Sequence, residues 1–117
     1  MAAIAAAIGG CAVTPSTETK LVQNGFEHIL NQQWSEAETS LLQALESNAD
    51  DPYALLNLGV VYQQTGRNEE AREMYNRVIE SDTTLRAGRS NLPDERGRLL
   101  TELAQDNLDR MSRDGAY

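Results

Sequence analysis

Leu55-Leu56-Asn57-Leu58-Gly59-Val60-Val61-Tyr62 is followed, nine residues on, by Ala71-Arg72-Glu73-Met74-Tyr75. These two stretches decide the fold. Large apolar residues recur at Leu58 and Tyr62, then at Tyr75, Val78 and Ile79, at the three- and four-residue intervals of helix faces. Gly59 lies within the first face and Ala71 opens the second. Two antiparallel helices pack closely only where a side chain is small, so Gly59 and Ala71 are expected as close-approach points. Thr65-Gly66 ends the first helix, with glycine free to adopt the left-handed C-terminal conformation. Asp51 before Pro52 is an N-cap followed by a first-position proline. The expected helices are 52–65 and 69–82.

The same pattern lies 34 residues upstream. Leu21 falls on Leu55, Gly25 on Gly59, Ala37 on Ala71, Leu41 on Tyr75 and Leu45 on Ile79. This block is expected to form helices 18–31 and 35–48. The pattern Leu55-x2-Leu58-Gly59-x2-Tyr62…Ala71-x3-Tyr75 resembles the tetratricopeptide repeat (TPR), W-x2-L-G-x2-Y…A-x3-F, which has this period. The first block is degenerate: Leu21-x2-Asn24-Gly25-x2-His28, then Ala37-x3-Leu41. Ala49 and Thr83 stand where the family carries a late proline. The resemblance covers residues 18–85 as repeats 18–51 and 52–85. It implies an all-α, TPR-like right-handed superhelix of two helix pairs, and says little of function.

From Arg86 the pattern stops, with Pro93 at the position of the next glycine. Residues 86–92, with Gly88, Ser90 and Asn91, read as a linker. Pro93-Asp94-Glu95 reads as the start of a helix over 93–113. Its apolar face would hold Leu99, Leu100, Leu103, Ala104, Leu108 and Met111. A solenoid needs a closing helix with one polar side, so this is expected to be a C-terminal capping helix. A free partner-binding helix is the alternative.

The chain has 117 residues, one cysteine and one histidine, with net charge −8 and 5% aromatic residues. That length allows one small domain, and the aliphatic, Ala-rich composition suits helices. The acidic balance disfavours nucleic acid as a partner. One cysteine makes no internal disulfide, and one Cys with one His makes no closed zinc site. No apolar run reaches the ~18 residues of a membrane helix. Residues 18–51 set seven acids against Lys20, a net of −6, whereas residues 86–117 carry six charges of each sign. Steering would therefore favour a basic partner near the first repeat.

Residues 1–17 carry no charged side chain. Ala2–Ile8 is a short apolar run, and Ile8-Gly9-Gly10-Cys11 resembles a bacterial lipobox. The resemblance implies lipidation of Cys11, removal of about ten residues, a flexible tether over residues 12–17 and an anchor of two acyl chains. Ala12 after the cysteine implies sorting to the outer membrane, facing the periplasm. A leader also needs a basic segment, which is expected upstream of Met1. The alternative is a disordered Ala-rich tail.

Catalysis has little to stand on. His28 occupies the repeat's Tyr position and reads as a core-edge residue. Glu36, Glu38, Glu69, Glu70 and Glu73 read as helix-flanking acids, and Asp50-Asp51 as a turn and cap. No phosphate loop is present, and neither a cofactor nor a metal is expected. Trp34 is expected to pack over the first helix pair.

Binding is the better expectation. In the family, the first helix of each pair lines a concave groove. The resemblance places Thr19, Val22, Phe26, Ile29 and Leu30 there from the first repeat. The second supplies Tyr53, Leu56, Asn57, Val60, Gln63 and Gln64. Val22 and Phe26 fill positions that a carboxylate clamp would need, and only Asn57 survives of that set. An apolar or amphipathic peptide is the expected ligand, contacting Val22, Phe26, Ile29, Tyr53, Leu56, Asn57, Val60 and Gln63. Packing of the groove against the C-terminal helix is the alternative.

The function expected is a non-catalytic scaffold, similar to small TPR lipoproteins of pilus and secretion systems, aiding assembly in the bacterial cell envelope. A soluble cytosolic or periplasmic adaptor or co-chaperone, without an anchor, is the alternative. Self-association through the groove is a third.

Overall fold

The computed structural model describes residues 3–7 and 16–114. Among the described residues five α-helices follow one another: α1 Thr17–Leu30, α2 Trp34–Ser47, α3 Pro52–Gln64, α4 Asn68–Glu80 and α5 Leu100–Arg113. Two short strands, β1 Ala6–Ala7 and β2 Arg89–Ser90, pair antiparallel, with Ala6 opposite Ser90 and Ala7 opposite Arg89. Among the described residues the fold is all-α apart from this ribbon. Residues 1–2 and 8–15, which include Cys11 of the expected lipobox, lie outside the described residues.

The local signals act as physical chemistry requires. Ser16 caps α1, its hydroxyl accepting from the Thr19 amide at 3.1 Å. Ser16 and Thr17 were expected in a tether and instead start the helix. Asp51 caps α3 by accepting from the amides of Tyr53 and Ala54, at 2.9 and 3.2 Å. Both turns inside the helix pairs close in the same way. The Arg67 amide donates to the Tyr62 carbonyl, and the Gln33 amide to the His28 carbonyl, each at 2.8 Å. The left-handed residue before each donor is Gly66 (φ 82°) in the second repeat and Gln32 (φ 59°) in the first. The two are 34 residues apart, so the repeat extends to backbone conformation.

Gly25 and Gly59 are the close-approach points. A Cβ on Gly25 would lie 2.6 Å from Leu41 Cγ, and one on Gly59 would lie 2.5 Å from Tyr75 Cε1. Ala37 and Ala71 are fully buried on the facing helices. Helices α1 and α2 pack as a pair, as do α3 and α4, and α2 meets α3 between them. Across that junction the Arg67 guanidinium pairs with Glu38 at 2.6 Å and covers the Tyr62 ring, 4.5 Å from its centroid.

Helix α3 is buried without a break from Tyr53 to Val61. A helix apolar on all sides must be covered on all sides. Its cover comes from α1, α2, α4, α5 and β1.

The C-terminal region departs from the expected single helix over 93–113. Pro93–Glu95 is one 3₁₀ turn, Gly97 takes φ 84°, and α5 begins only at Leu100. Proline and two acids make a good first turn, but the left-handed glycine ends it. The Arg98 guanidinium then gathers Glu95, Glu102 at 3.2 Å and Asp106 at 2.6 Å, tying the turn to α5. Those carboxylates hold the Arg98 pKa above its usual value. Leu100, Leu103, Ala104 and Met111 of α5 are buried, while Leu99 and Leu108 are half-buried. The helix packs on α4 and α3 within this chain, so that face is not free for a partner.

Candidate functional site

Val22, Phe26 and Ile29 of α1 and Tyr53, Leu56, Asn57 and Val60 of α3 lie on the helices expected to line the groove. All seven are buried. The groove is not open as expected, and α5 is not its sole cover. Residues 3–7 of the same chain lie in it, with β1 against α1, α3 and β2. A free Ala-rich tail does not describe this segment: Ala3 is 1% exposed, and Ile4, Ala5, Ala6 and Ala7 are at zero.

Burying an extended backbone orphans its amides and carbonyls unless partners meet them. Three asparagines do most of this. Asn57 on α3 accepts from the Ala6 amide at 2.9 Å and donates to the Ala6 carbonyl at 2.7 Å. Asn107 on α5 does the same for Ile4, at 2.8 and 3.1 Å. Asn91, just past β2, accepts from the Ala5 amide at 2.7 Å and donates to the Ala3 carbonyl at 2.6 Å. The Ala5 and Ala7 carbonyls accept from the backbone amides of Asn91 and Gly88, at 3.4 and 3.0 Å. Every carbonyl from Ala3 to Ala7, and every amide from Ile4 to Ala6, is therefore bonded.

The residues of the strand suit the space. Successive side chains on a strand point to opposite faces. Here both faces are closed, so alanine fits at four of the five positions. Ile4 is the exception and ranks among the largest fully buried side chains. Arg89 of β2 closes one side. Its guanidinium pairs with Glu27 at 2.6 Å and lies 4.9 Å from the centroid of the Phe26 ring. The Tyr53 hydroxyl donates to the Arg86 carbonyl at 2.6 Å, holding the start of the same loop against α3. Burial, and then the Asp51 carboxylate, push the Tyr53 pKa up. Beside Ala3 a cavity of about 240 Å³ remains, lined in part by Ile29, Leu30, Trp34, Val60, Gln64 and Asn91.

Some expected residues serve elsewhere. Gln63 accepts from the buried Tyr75 hydroxyl at 2.7 Å and so ties α3 to α4. Burial holds the Tyr75 pKa well above its usual value. Thr19 is half-buried, and Leu30 and Gln64 are exposed at the cavity mouth. Phe26 is 1% exposed beneath the Arg89 guanidinium, so a charge there would disturb the core. His28 is half-buried and its ring pairs with Gln33 at 2.8 Å. Trp34 opens α2 and packs against the core. Among the described residues, no group of three or more His, Cys, Asp or Glu is placed to hold a metal ion. No helix among them is long and apolar enough to cross a membrane.

Asn91, Asn107 and Ile4 are the members of this arrangement that the sequence reading missed. Asn107 left a trace. It lies at helical spacing between Leu103, Ala104 and Met111, and a polar residue on a buried face needs a partner.

Residues 30–86 match the family model of the tetratricopeptide repeat. The chain is 33% identical over 66 residues to anaphase-promoting complex subunit 3 of Schizosaccharomyces pombe. That alignment covers 56% of this chain and 10% of the relative, so the chain spans a tenth of the length of the curated protein it matches. No solved structure matches the chain. Residues 30–86 are thus similar to tetratricopeptide repeats, and such repeats generally act as non-catalytic scaffolds that mediate protein–protein contacts.

Proposed function

We propose that this protein is a peptide-binding scaffold whose α1/α3 groove receives an extended segment of a partner. One observation carries this reading. The groove holds a five-residue segment, and Asn57, Asn91 and Asn107 give paired side-chain bonds to its backbone. Groove-lining residues that satisfy main-chain groups can recognise a peptide without a catalytic group. A photo-crosslinking residue at Leu30 or Gln64, at the cavity mouth, tests it in the native cell. Crosslinks from these positions to one defined protein, absent from the exposed Leu42 on α2, are expected. Equal labelling from Leu42, or none from the mouth, refutes the assignment.

In the form argued from the lipobox resemblance, Cys11 carries a lipid anchor and the scaffold assists assembly of an envelope complex. It would sit at the outer membrane, facing the periplasm. The burial of Ala3–Ala7 favours a second form, a soluble adaptor that keeps the segment. Mass spectrometry of the native N-terminal peptide separates them. A peptide beginning at Cys11 with a diacylglyceryl mass supports the anchored form. An unmodified peptide retaining Ala3–Ala7 supports the adaptor and ends the lipoprotein reading.

A further inference from the structure

Resting on the groove reading above, we infer that Ala3–Ala7 is a built-in pseudo-ligand. The groove's partner is then an extended strand of small residues with one branched aliphatic side chain at the Ile4 position. The segment contributes no turn or helix to the fold. It is held by groups from α3, α5 and the β2 loop, all at least 51 residues away in sequence. Those groups read backbone amides and carbonyls, which any extended peptide presents. Side-chain selection falls to the space around the strand. Four positions hold buried alanines in this chain, and Ile4 fills a closed site in the apolar core. The strand also adds to the edge of β2, so a partner would enter by strand addition along the same register. The cavity beside Ala3 continues the groove past the segment, between Leu30, Trp34 and Gln64, and gives a longer partner strand somewhere to run.

Tethering sets the competition. A segment joined to its own groove acts at an effective concentration on the order of millimolar, so a free peptide binds weakly until the segment is displaced or removed. Cleavage before Cys11 would remove it. Competition by a partner strand would displace it.

The test uses the full chain and a fluorescent peptide with the sequence of residues 2–8, extended by two lysines for solubility. Ile4→Asp in the protein weakens the segment without touching the groove wall. The Ile4→Asp chain is expected to bind the peptide roughly tenfold tighter than wild type or better, and adding Asn57→Ala is expected to abolish the gain. An Ile4→Asp chain with wild-type helicity and no gain in affinity overturns the inference. If that variant loses its helicity, hydrogen exchange on the wild type decides. The Ala5 and Ala6 amides are expected to open while Leu58 of α3 stays protected, and excess peptide to hasten their exchange. Protection equal to that of Leu58 makes the segment inseparable from the core and overturns the inference. A wild-type dimer whose Ala5 and Ala6 protection fades on dilution assigns the groove to a second copy and overturns the partner assignment. Crosslinking from Leu30 and Gln64 stands apart from these results. Should it persist while peptide binding fails, the pseudo-ligand falls and the scaffold reading stands; if it fails as well, both fall.

Discussion

Replacing Gly59 with alanine sets two known effects against each other. Alanine is the better helix former by about 1 kcal/mol in a helix interior. Against this, the new methyl would meet Tyr75 Cε1, Cδ1 and Cζ at 2.5, 2.8 and 3.0 Å. Carbon atoms rest about 3.5–4.0 Å apart, so the contact is short by roughly 1 Å. The ring cannot simply swing aside, because Tyr75 is fully buried and its hydroxyl bonds Gln63 at 2.7 Å. Overpacking of this kind costs about 1–3 kcal/mol, and the ring's two-ended restraint puts Gly59→Ala near the top of that range. The net loss is then about 2 kcal/mol, a fall in Tm of roughly 5–10 °C for a chain of this size. Urea unfolding followed by far-UV circular dichroism measures it, with the m value unchanged. In a double-mutant cycle, Tyr75→Leu should relieve part of the cost, so the pair loses less than the sum of the singles. A Gly59→Ala chain as stable as wild type would show that propensity outweighs contact, and would refute close approach as the reason for the glycine.

Asp51 is buried with its carboxyl pushed up to about 6, by burial first and then by the facing Glu18 carboxyl. Because the folded-state pKa lies above the unfolded one, the stabilising contribution is present below about pH 4 and is lost as pH rises through 6. Asp51→Asn keeps the cap, so the wild-type urea midpoint should rise between pH 7.5 and pH 5 relative to that of the variant; parallel midpoints would contradict the shift. Gln32→Gly relieves a left-handed non-glycine residue and should raise stability by up to about 1 kcal/mol, whereas Gly66→Gln at the equivalent position should lower it, both read by thermal melts. Asn57→Ala orphans the Ala6 amide and carbonyl, at about 1–3 kcal/mol each if the strand stays put; release into water is the cheaper outcome, so the Ile4 and Ala5 amides should lose protection in hydrogen exchange along with Ala6, and loss confined to Ala6 would show that the strand does not dock as a unit.

The helix pairs were legible because close approach of helices leaves a mark in residue size. Gly25, Gly59, Ala37 and Ala71 sit at fixed spacing, and each lies where two helices meet. The start of α5 was not legible. Pro93-Asp94-Glu95 is a sound first turn, and only the conformation of Gly97 shows that the turn stops. The groove wall on α1 and α3 could be read from the repeat, but its occupant could not. An alanine run carries no period strong enough to reveal a strand, and its partners lie 51 to 103 residues away. Asn91 sits in a loop where asparagine is ordinary. The tie of Gln63 to Tyr75 was not legible, because it depends on how α3 and α4 face each other.

The order in which the ribosome makes this chain gives the strand a history of its own. Ala3–Ala7 is made first among the groups described here, yet Asn107, which holds Ile4, lies 103 residues later. At about 5–20 residues per second, roughly 5–20 s pass before the last of the three asparagines exists. Through that interval the alanine segment has no groove to enter, because α3, the β2 loop and α5 must all be in place. Any cellular factor that recognises short apolar segments meets it unburied during synthesis, and loses access to it only once α5 has been made.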